Sequence, residues 1–460
     1  MIISKKLIQE VINEAAKTGC DFAELFIEDT YSKITRSLSG KIESMNDTHV
    51  RGAGLRLALG ANYVYGYTNS LDKKSLLKLA SDLRSSFNEK RKEVTPLKTL
   101  KKGTHHKALV LPQDVDNEER VDAITRCYNQ AKNYSDEIVQ VSIVLSEKVQ
   151  NVLIANMDGR FVSDQRVNTR LMINSVAKRG SKMESGSSGH GMCKGFELIR
   201  EDDIESFARN ASRIAITNLD AIDCPSGEMP VIIENGFGGV IFHEAVGHSL
   251  EATSVAMGAS VFSGLKGQKV ANKCVTAIDD GTLENEWGSE NFDDEGNKQR
   301  KRVLIKNGIL NEYMIDELNG KRMNEPSSGS SRRESYKYAP TSRMSNTFIA
   351  PGKSSLEDML KDIKLGLYCA NMGGGSVNPA TGDFNFATSE AYLIEDGKIT
   401  KPVKGASLVG TGREIIANID MVGDNLKLGQ GVCGSASGSV PTNVGQPRIR
   451  VKKITVGGRA

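Results

Sequence analysis

One segment, residues 235–251, constrains the fold more than any other part of the chain. It holds two of the six histidines, His243 and His248, with Glu244 directly after the first. On a regular α-helix, a separation of five residues means about 140° of rotation and about 7.5 Å of rise, so the two rings would diverge. If both rings serve one site, the backbone must widen locally, as in a one-residue π-bulge. Gly247 supplies a permissive backbone, and we predict a bulged or irregular turn between the histidines.

The same residues indicate metal chemistry. In the zinc-peptidase helix signature, two histidines four residues apart bind the ion, and a glutamate after the first acts as general base on a water. His243, Glu244 and His248 match this order with one extra residue between the histidines. The alternative is two ordinary histidines in an apolar helix. The runs 231–233 and 240–242, on either side of a glycine loop, are apolar and therefore expected to be buried. This favours a site that is built on buried elements.

A third ligand is needed, because a tetrahedral catalytic zinc takes three protein ligands and leaves one position open for water. Glu251 lies three residues after His248 and could either bind the ion or orient a histidine ring from outside the ligand set. Cys433 lies far along the chain in the glycine-rich run 429–438, where small residues allow a close backbone approach. It is the stronger candidate, although an ordinary buried cysteine is its alternative. The residues alone leave both open.

Length, charge and cysteine usage restrict the class of protein. At 460 residues the chain is too long for one ordinary core, so two or three domains are expected. A net charge of only +3 argues against direct binding of nucleic acid or of an anionic membrane. No secretory leader and no run of eighteen apolar residues is found, which predicts a cytoplasmic protein without a membrane segment. Seven cysteines, odd in number and without a C-x-x-C pair, indicate reduced thiols.

The order of helical and strand-like patterns predicts an α+β fold of two domains. Residues 1–222 form an N-terminal α/β domain, in which a helix, several strands and a helix occur in 1–90 and again in 113–222. This recurrence suggests an internal duplication, although no residue-level repeat supports it. A Cys224-Pro-Ser-Gly sequence marks the boundary. Residues 223–460 then form a mostly β C-terminal domain whose main helix carries the histidines.

Turn residues predict further detail in the C-terminal domain. Asn307-Gly308 and Asp396-Gly397 each separate two strand-like runs and tolerate the positive φ angles of a type I′ hairpin turn. Residues 320–347 are rich in serine, glycine and arginine, which is typical of a long loop. Loops of this length are usually functional or mobile, so the segment is expected to be either a lid over the site or a surface loop.

Several motifs together resemble the TldD/PmbA family of metallopeptidases, known historically as modulators of DNA gyrase. The matching stretches are Phe242-His-Glu-Ala-Val-Gly-His-Ser-Leu-Glu251, 340–347, 429–433, 439–441, 444–447 and 456–458. The likeness spans nearly the whole chain. Because PmbA (TldE) members lack the histidine motif, the chain resembles a TldD-type member.

The resemblance implies a metal-dependent peptidase that cleaves short or unfolded peptides in a sheltered cavity. It implies one divalent metal, best matched by zinc, held by His243, His248 and Cys433, with Glu244 as the general base. Glu251 would then orient a histidine from outside the ligand set, or replace Cys433 within it. The resemblance also implies a PmbA/TldE-type partner subunit, with a homodimer as the other assembly.

Two other functions are considered beside the peptidase. One is a non-catalytic assembly subunit or regulator of the PmbA type, and the intact His243, Glu244 and His248 count against it. The other is a gyrase-associated or nucleic-acid-binding regulator. The near-neutral charge and the lack of a recognised binding motif give it little support.

Overall fold

The computed structural model describes residues 3–378 and 381–458 and has a mixed α+β fold, as predicted. In the N-terminal half, the order of a helix, three long strands and a helix occurs twice. The elements are α1 (Lys5–Ala15), β1 (Phe22–Leu38), β2 (Lys41–Leu59), β3 (Asn62–Thr68), α2 (Lys73–Leu83), β4 (Lys98–Thr99), α3 (Asn117–Lys132), β5 (Ile138–Asn156), β6 (Arg160–Arg179), β7 (Lys182–Met192), α4 (Glu197–Glu201) and α5 (Ile204–Leu219).

The strands of this half form one continuous sheet. Its order is β3-β2-β1-β5-β6-β4, with β7 also paired to β6, and the pairing of β1 with β5 joins the two groups. Helices α1 and α2 bury one core, which includes Leu25 and Leu55, and helices α3 and α5 bury another, which includes Ile143 and Ile173. The two groups therefore share a sheet, while each keeps its own helical cover.

In the first part of strand β1, both faces of this sheet are buried. Successive side chains of a strand point to opposite faces. Leu25 and Ile27 pack with the helices, whereas Glu24, Phe26 and Glu28 point away from them and are buried as well. The C-terminal half covers this second face, and it has to satisfy the buried carboxylates.

In the C-terminal half, short helices and strands alternate. Within the described ranges, no helix is long and apolar enough to cross a membrane. The elements are β8 (Ile222–Asp223), β9 (Gly227–Ile233), α6 (Val240–Phe242), α7 (Ala252–Val255), β10 (Ala277–Asp280), β11 (Lys301–Lys306), β12 (Ile309–Leu310), α8 (Glu317–Met323), β13 (Ser331–Arg332), β14 (Thr341–Ser342), β15 (Asn346–Ile349), α9 (Leu356–Leu360), β16 (Leu365–Val377), β17 (Asp383–Glu395), β18 (Lys398–Lys404), β19 (Ser407–Thr411), α10 (Gly412–Asn418), β20 (Ile419–Val422), β21 (Lys427–Ser435), β22 (Gly438–Gln446) and β23 (Ile449–Gly457).

Two larger sheets organise this half. One has the order β12-β11-β10-β15-β22-β21, and the other has the order β16-β9-β23-β19-β17-β18-β8, with β20 paired to β23. Apolar side chains from both sheets and from the histidine-bearing segment share one buried core, which includes Val231, Phe242, Val246, Phe386 and Val444. Strand β21 ends its sheet, so one of its edges is not covered by another strand of that sheet.

Both predicted hairpin turns are confirmed. Asn307 and Gly308 have φ angles of 49° and 82° between β11 and β12. Asp396 and Gly397 have φ angles of 46° and 76° between β17 and β18. Positive φ at both central residues is what a type I′ turn requires.

A buried network of arginines and carboxylates joins the C-terminal half to the N-terminal sheet. Arg56 of β2 bonds Glu24 at 3.0 Å and Glu295 at 2.5 Å, and all three side chains are buried. Arg333 bonds Glu24 as well, and its backbone N–H donates to Asp294 at 2.6 Å. A buried charge is tolerated only when it is paired and hydrogen-bonded, so these contacts fix how segments 290–295 and 331–334 lie on the sheet.

The expectation of a mobile loop or lid at 320–347 was wrong. The first residues belong to helix α8, and the short strands β13 and β14 pair with each other further along. Arg332, Arg333, Arg343 and Asn346 are all buried. The segment has few apolar residues, which made it resemble a solvated loop, but its arginines are satisfied by carboxylates and carbonyls inside the molecule.

We expect substitutions of two arginines of β2, one inside this network and one outside it, to differ in their effect on stability. Arg56→Met leaves Glu295 buried without its cation, so we expect it to lower the free energy of unfolding by about 3–5 kcal/mol. The matched control is Arg51→Met, because the Arg51 pair with Asp29 is long, at 3.9 Å, and partly exposed. Loss of such a pair should change stability by less than about 1 kcal/mol. Urea denaturation of both variants checks this, and equal losses would contradict it.

Candidate metal centre

The histidines lie on a helical segment that changes its winding along its length. It runs as a 3₁₀ turn over Gly236–Gly239, as α6, as a π-helical turn over His243–Gly247, and as a second 3₁₀ turn over His248–Leu250. A π-helical turn accommodates one extra residue. The predicted bulge between the two histidines is therefore confirmed.

The wider turn brings the two imidazoles together. Their ring centroids are 5.0 Å apart, with the planes at 83°. Nε2 of His243 and Nε2 of His248 each lie 3.2 Å from Sγ of Cys433. The three donor atoms all lie within 4.8 Å of one another. The structure thus brings together three of the predicted site residues, one of which comes from a distant strand.

Gly247 serves this turn for a different reason than we predicted. Its φ angle is −54°, which any residue adopts, so the turn does not need a permissive backbone here. A Cβ at this position would instead lie 2.2 Å from Sδ of Met344, which is fully buried. Glycine is required because a neighbouring side chain occupies the space.

Cys433 reaches the histidines from strand β21, where it is paired with Val440 of β22. Its side chain is buried. Burial would raise the pKa of the Cys433 thiol, but the adjacent His243 and His248 outweigh it and hold that pKa well below its ordinary value. Likewise, burial would lower the pKa of His248, but Glu251 and Cys433 raise it well above its ordinary value. The site therefore favours a thiolate beside the histidines.

The donor set fits a divalent ion. Tetrahedral zinc sites have Zn–N distances of about 2.0 Å and Zn–S distances of about 2.3 Å, which separates the nitrogen and sulfur atoms by about 3.5 Å. The separations of 3.2 Å found here are a few tenths of an ångström shorter. Two imidazole nitrogens and one thiolate are ligands that zinc accepts.

Two glutamates lie beside the three donors, in different positions. Oε2 of Glu251 lies 3.1 Å from Nδ1 of His248, on the side of the ring away from Cys433. A carboxylate in this position orients the ring of a metal-binding histidine without binding the metal itself. Oε2 of Glu244 lies 3.6 Å from Nε2 of His248, and its side chain is 26% exposed. Glu244 is the more accessible of the two carboxylates.

A cleft of about 220 Å³ opens beside the donors. His243, Glu244 and Cys433 line it, together with Phe237 and glycines of strands β16 and β21. The cleft therefore gives a substrate access to the donor atoms and to the Glu244 carboxylate.

Arg343 is the site residue to which sequence reasoning assigned no role. It is fully buried, and its guanidinium donates to the carbonyl of Cys433, to the carbonyl of Gly438 at 2.8 Å and to Oγ of Ser437 at 3.0 Å. It thereby fixes the β21–β22 turn that carries the thiolate. Its presence in the motif 340–347 was the only signal, and the motif does not say what the residue contacts.

Three family models match consecutive parts of the chain. They describe PmbA/TldA metallopeptidase domain 1 at residues 23–86, the central domain at 111–219 and the C-terminal domain at 226–458. The chain belongs to the PmbA/TldD family of metallopeptidases. Its fold has three domains by this division, so the two-domain description holds only in part. The first two domains share the N-terminal sheet, and the third carries the candidate metal centre.

Named relatives place the chain with TldD members of the family. It is 36% identical to a metalloprotease TldD homolog of Buchnera aphidicola, over 92% of this chain and 90% of that protein. It is also 36% identical to the metalloprotease TldD homolog of Haemophilus influenzae, over 99% of this chain and 97% of that protein. A zinc metalloprotease TldD homolog of Saccharolobus solfataricus is 24% identical, over 97% of this chain and 99% of the other.

Solved structures agree with the fold. A Thermotoga maritima protein described as a candidate modulator of a DNA gyrase matches with a TM-score of 0.81, covering 98% of this chain and 99% of that one. TldE from Thermococcus kodakarensis matches with a TM-score of 0.78, covering 98% and 100%. Both are 18% identical in sequence, so the likeness concerns the fold alone.

The contact between Gly247 and Met344 yields a testable prediction. Gly247→Ala forces the new Cβ against buried sulfur, so the π-helical turn shifts and moves His248. We expect a melting temperature several degrees lower and zinc affinity about 10–100-fold weaker, as for other disturbances next to a ligand. Adding Met344→Ala makes room and should restore much of both losses. Calorimetry and zinc titration check this, and an equally impaired double variant would contradict it.

Proposed function

We propose that the protein is a peptidase that uses one divalent metal, zinc, held by His243, His248 and Cys433. The observation that carries the proposal is the convergence of two imidazoles and a thiolate within 4.8 Å beside an open cleft. The metalloprotease names of the relatives support the same activity. The relative named a zinc metalloprotease supports the choice of metal.

Glu244 is the residue that moves protons in this proposal. When bound, the metal supplies a Lewis acid for the scissile carbonyl and for the attacking water. Glu244 projects into the cleft next to His248 and is accessible, so its carboxylate can accept a proton from that water. The same carboxyl group then donates the proton to the leaving amine. Glu251 keeps Nε2 of His248 turned toward Cys433 by bonding its Nδ1.

The substrate is proposed to be a short or unfolded peptide, bound in an extended form. Strand β21 carries Cys433 and ends its sheet, so its edge next to the cleft can pair with a peptide main chain. Val432, the neighbour of Cys433, is 58% exposed. Main-chain pairing recognises many sequences, which suits a peptidase that acts on unfolded segments.

We further propose a PmbA/TldE-type subunit as partner, with a homodimer as the other assembly. The fold similarity to a TldE structure supports this pairing. A reducing compartment such as the cytoplasm suits the site, because Cys433 has to remain a free thiolate to bind metal.

The role of Glu244 is tested by Glu244→Gln, which keeps the size of the side chain and removes its basicity. We expect zinc content close to one per chain and a turnover number at least about 100-fold lower, because general-base catalysis contributes about that much or more. Cleavage of an unstructured peptide measures turnover, and elemental analysis measures zinc. Activity retained in this variant would refute the assignment. Chelation of the unsubstituted protein should abolish cleavage, and added zinc should restore it.

The third ligand is tested by Cys433→Ala. Loss of one of three ligands should reduce bound zinc to well below one per chain after dialysis. Cys274→Ala is the matched control, because Cys274 is a half-buried thiol that contacts the Ile419 carbonyl instead of the histidines. Unchanged zinc in the Cys433 variant would make Glu251 the third ligand. If the unsubstituted protein binds no zinc either, the result would favour the non-catalytic PmbA-type role.

A further inference from the structure

A second cavity lies on the other side of strand β21, between this strand and the N-terminal sheet. Its volume is about 250 Å³. Trp287, Val432 and Pro441 line it from the C-terminal half, and Ile34 and Ser146 line it from strands β1 and β5. Glu147, Lys148 and Asn168 also line it, but most of the surface that it exposes is apolar, so the cavity suits an apolar group. The metal mechanism does not use it.

Strand β21 connects this cavity to the metal cleft. Val432 lines both spaces. Neighbouring residues of a strand point to opposite faces, so Cys433 faces the histidines while Val432 faces away from them. A peptide paired along the same edge follows the same alternation, about 3.3 Å per residue. When one of its residues lies at the donors, the next side chain along points toward the cavity.

We propose that this cavity is the specificity pocket of the enzyme and takes a large apolar side chain, such as that of phenylalanine or leucine. The side chain belongs to the substrate residue next to the one at the metal centre. This inference rests on the proposed peptidase function and adds a preference to it. Main-chain pairing then supplies general affinity, and the pocket selects which bond of an unfolded segment is cut.

The size of the cavity and the fixed position of Trp287 support an aromatic or branched apolar side chain as the occupant. An apolar cavity of about 150 Å³ in another protein binds benzene, so a cavity of this size holds a phenyl ring with room to spare. Two contacts fix the position of the Trp287 side chain. Its indole N–H donates to the carbonyl of Gly431 at 2.8 Å, and Cζ of Arg170 lies over its ring, 5.9 Å from the centroid. A cationic side chain would lose its hydration there without a partner, because the Glu147 carboxylate of the lining is already bonded to Arg120.

Trp287 also reports on the pocket, because it is the single tryptophan of the chain. The Glu244→Gln protein loaded with zinc is titrated with blocked heptapeptides of glycine and serine whose central residue is Phe, Gly or Lys. We expect the Phe peptide to shift and saturate the Trp287 fluorescence, with the Gly and Lys peptides binding at least about tenfold more weakly. No change with any peptide would overturn the pocket. A change that depends on protein concentration alone would overturn it too, since a second copy would then be the occupant.

The preference itself is measured by cleavage. The unsubstituted enzyme should cut the Phe peptide at one bond at a fixed offset from Phe, with kcat/KM at least about tenfold above that of the Gly peptide. Ser146→Phe fills the pocket from β5 and should bring this ratio close to one. Ser439→Phe, placed at an exposed serine of the pocket wall, should do the same if the first variant folds poorly.

The matched control is Ser142→Phe. Ser142 lies four residues before Ser146 on the same face of β5, outside the pocket, so its variant should keep the full ratio. Equal cleavage of the Phe and Gly peptides by the unsubstituted enzyme would overturn the pocket and leave the peptidase intact. Absence of cleavage of every peptide would overturn the peptidase, and the fluorescence titration would still decide whether the cavity binds apolar side chains.

Discussion

Buried ion pairs between the N-terminal sheet and the C-terminal half are the interaction on which the rest of the structure depends. Glu24 and Arg56 stand on strands whose second face would otherwise be solvated, and Glu295 and Arg333 meet them from the other half. Ion pairs of this kind add little net stability, because desolvation offsets their attraction. An arrangement that separated the partners would, however, leave buried charges unpaired, which costs several kcal/mol, about 3–5 for one broken pair.

The observed arrangement supports the candidate metal centre. Arg332, the neighbour of Arg333, donates to the carbonyl of Pro441, and Arg343, further along the same segment, donates to the carbonyl of Cys433. The thiolate is therefore positioned by a chain of buried guanidinium contacts that begins at the domain interface. That interface also forms the second cavity, so the two halves together build the proposed pocket, whereas all three donors belong to the C-terminal half.

Much of the site was predictable because its signals are local. The spacing of His243 and His248 required a widened turn, and a π-helical turn is present. Asn307-Gly308 and Asp396-Gly397 predicted their hairpins, because few other residue pairs adopt positive φ twice in succession. The TldD-type motifs likewise indicated a family that the comparisons confirm. In each case, a few neighbouring residues carry the whole physical argument.

The sequence by itself determined the order of helices and strands in the N-terminal half, the distorted helical turn and the family of the chain. Only the tertiary structure decided that Cys433 meets the two histidines, that Glu251 faces the far side of the His248 ring, and that most of residues 328–347 are buried. These are relations between parts distant in sequence. No local periodicity records them, because pairing across a buried interface depends on which surfaces meet and on whether each buried charge finds its partner.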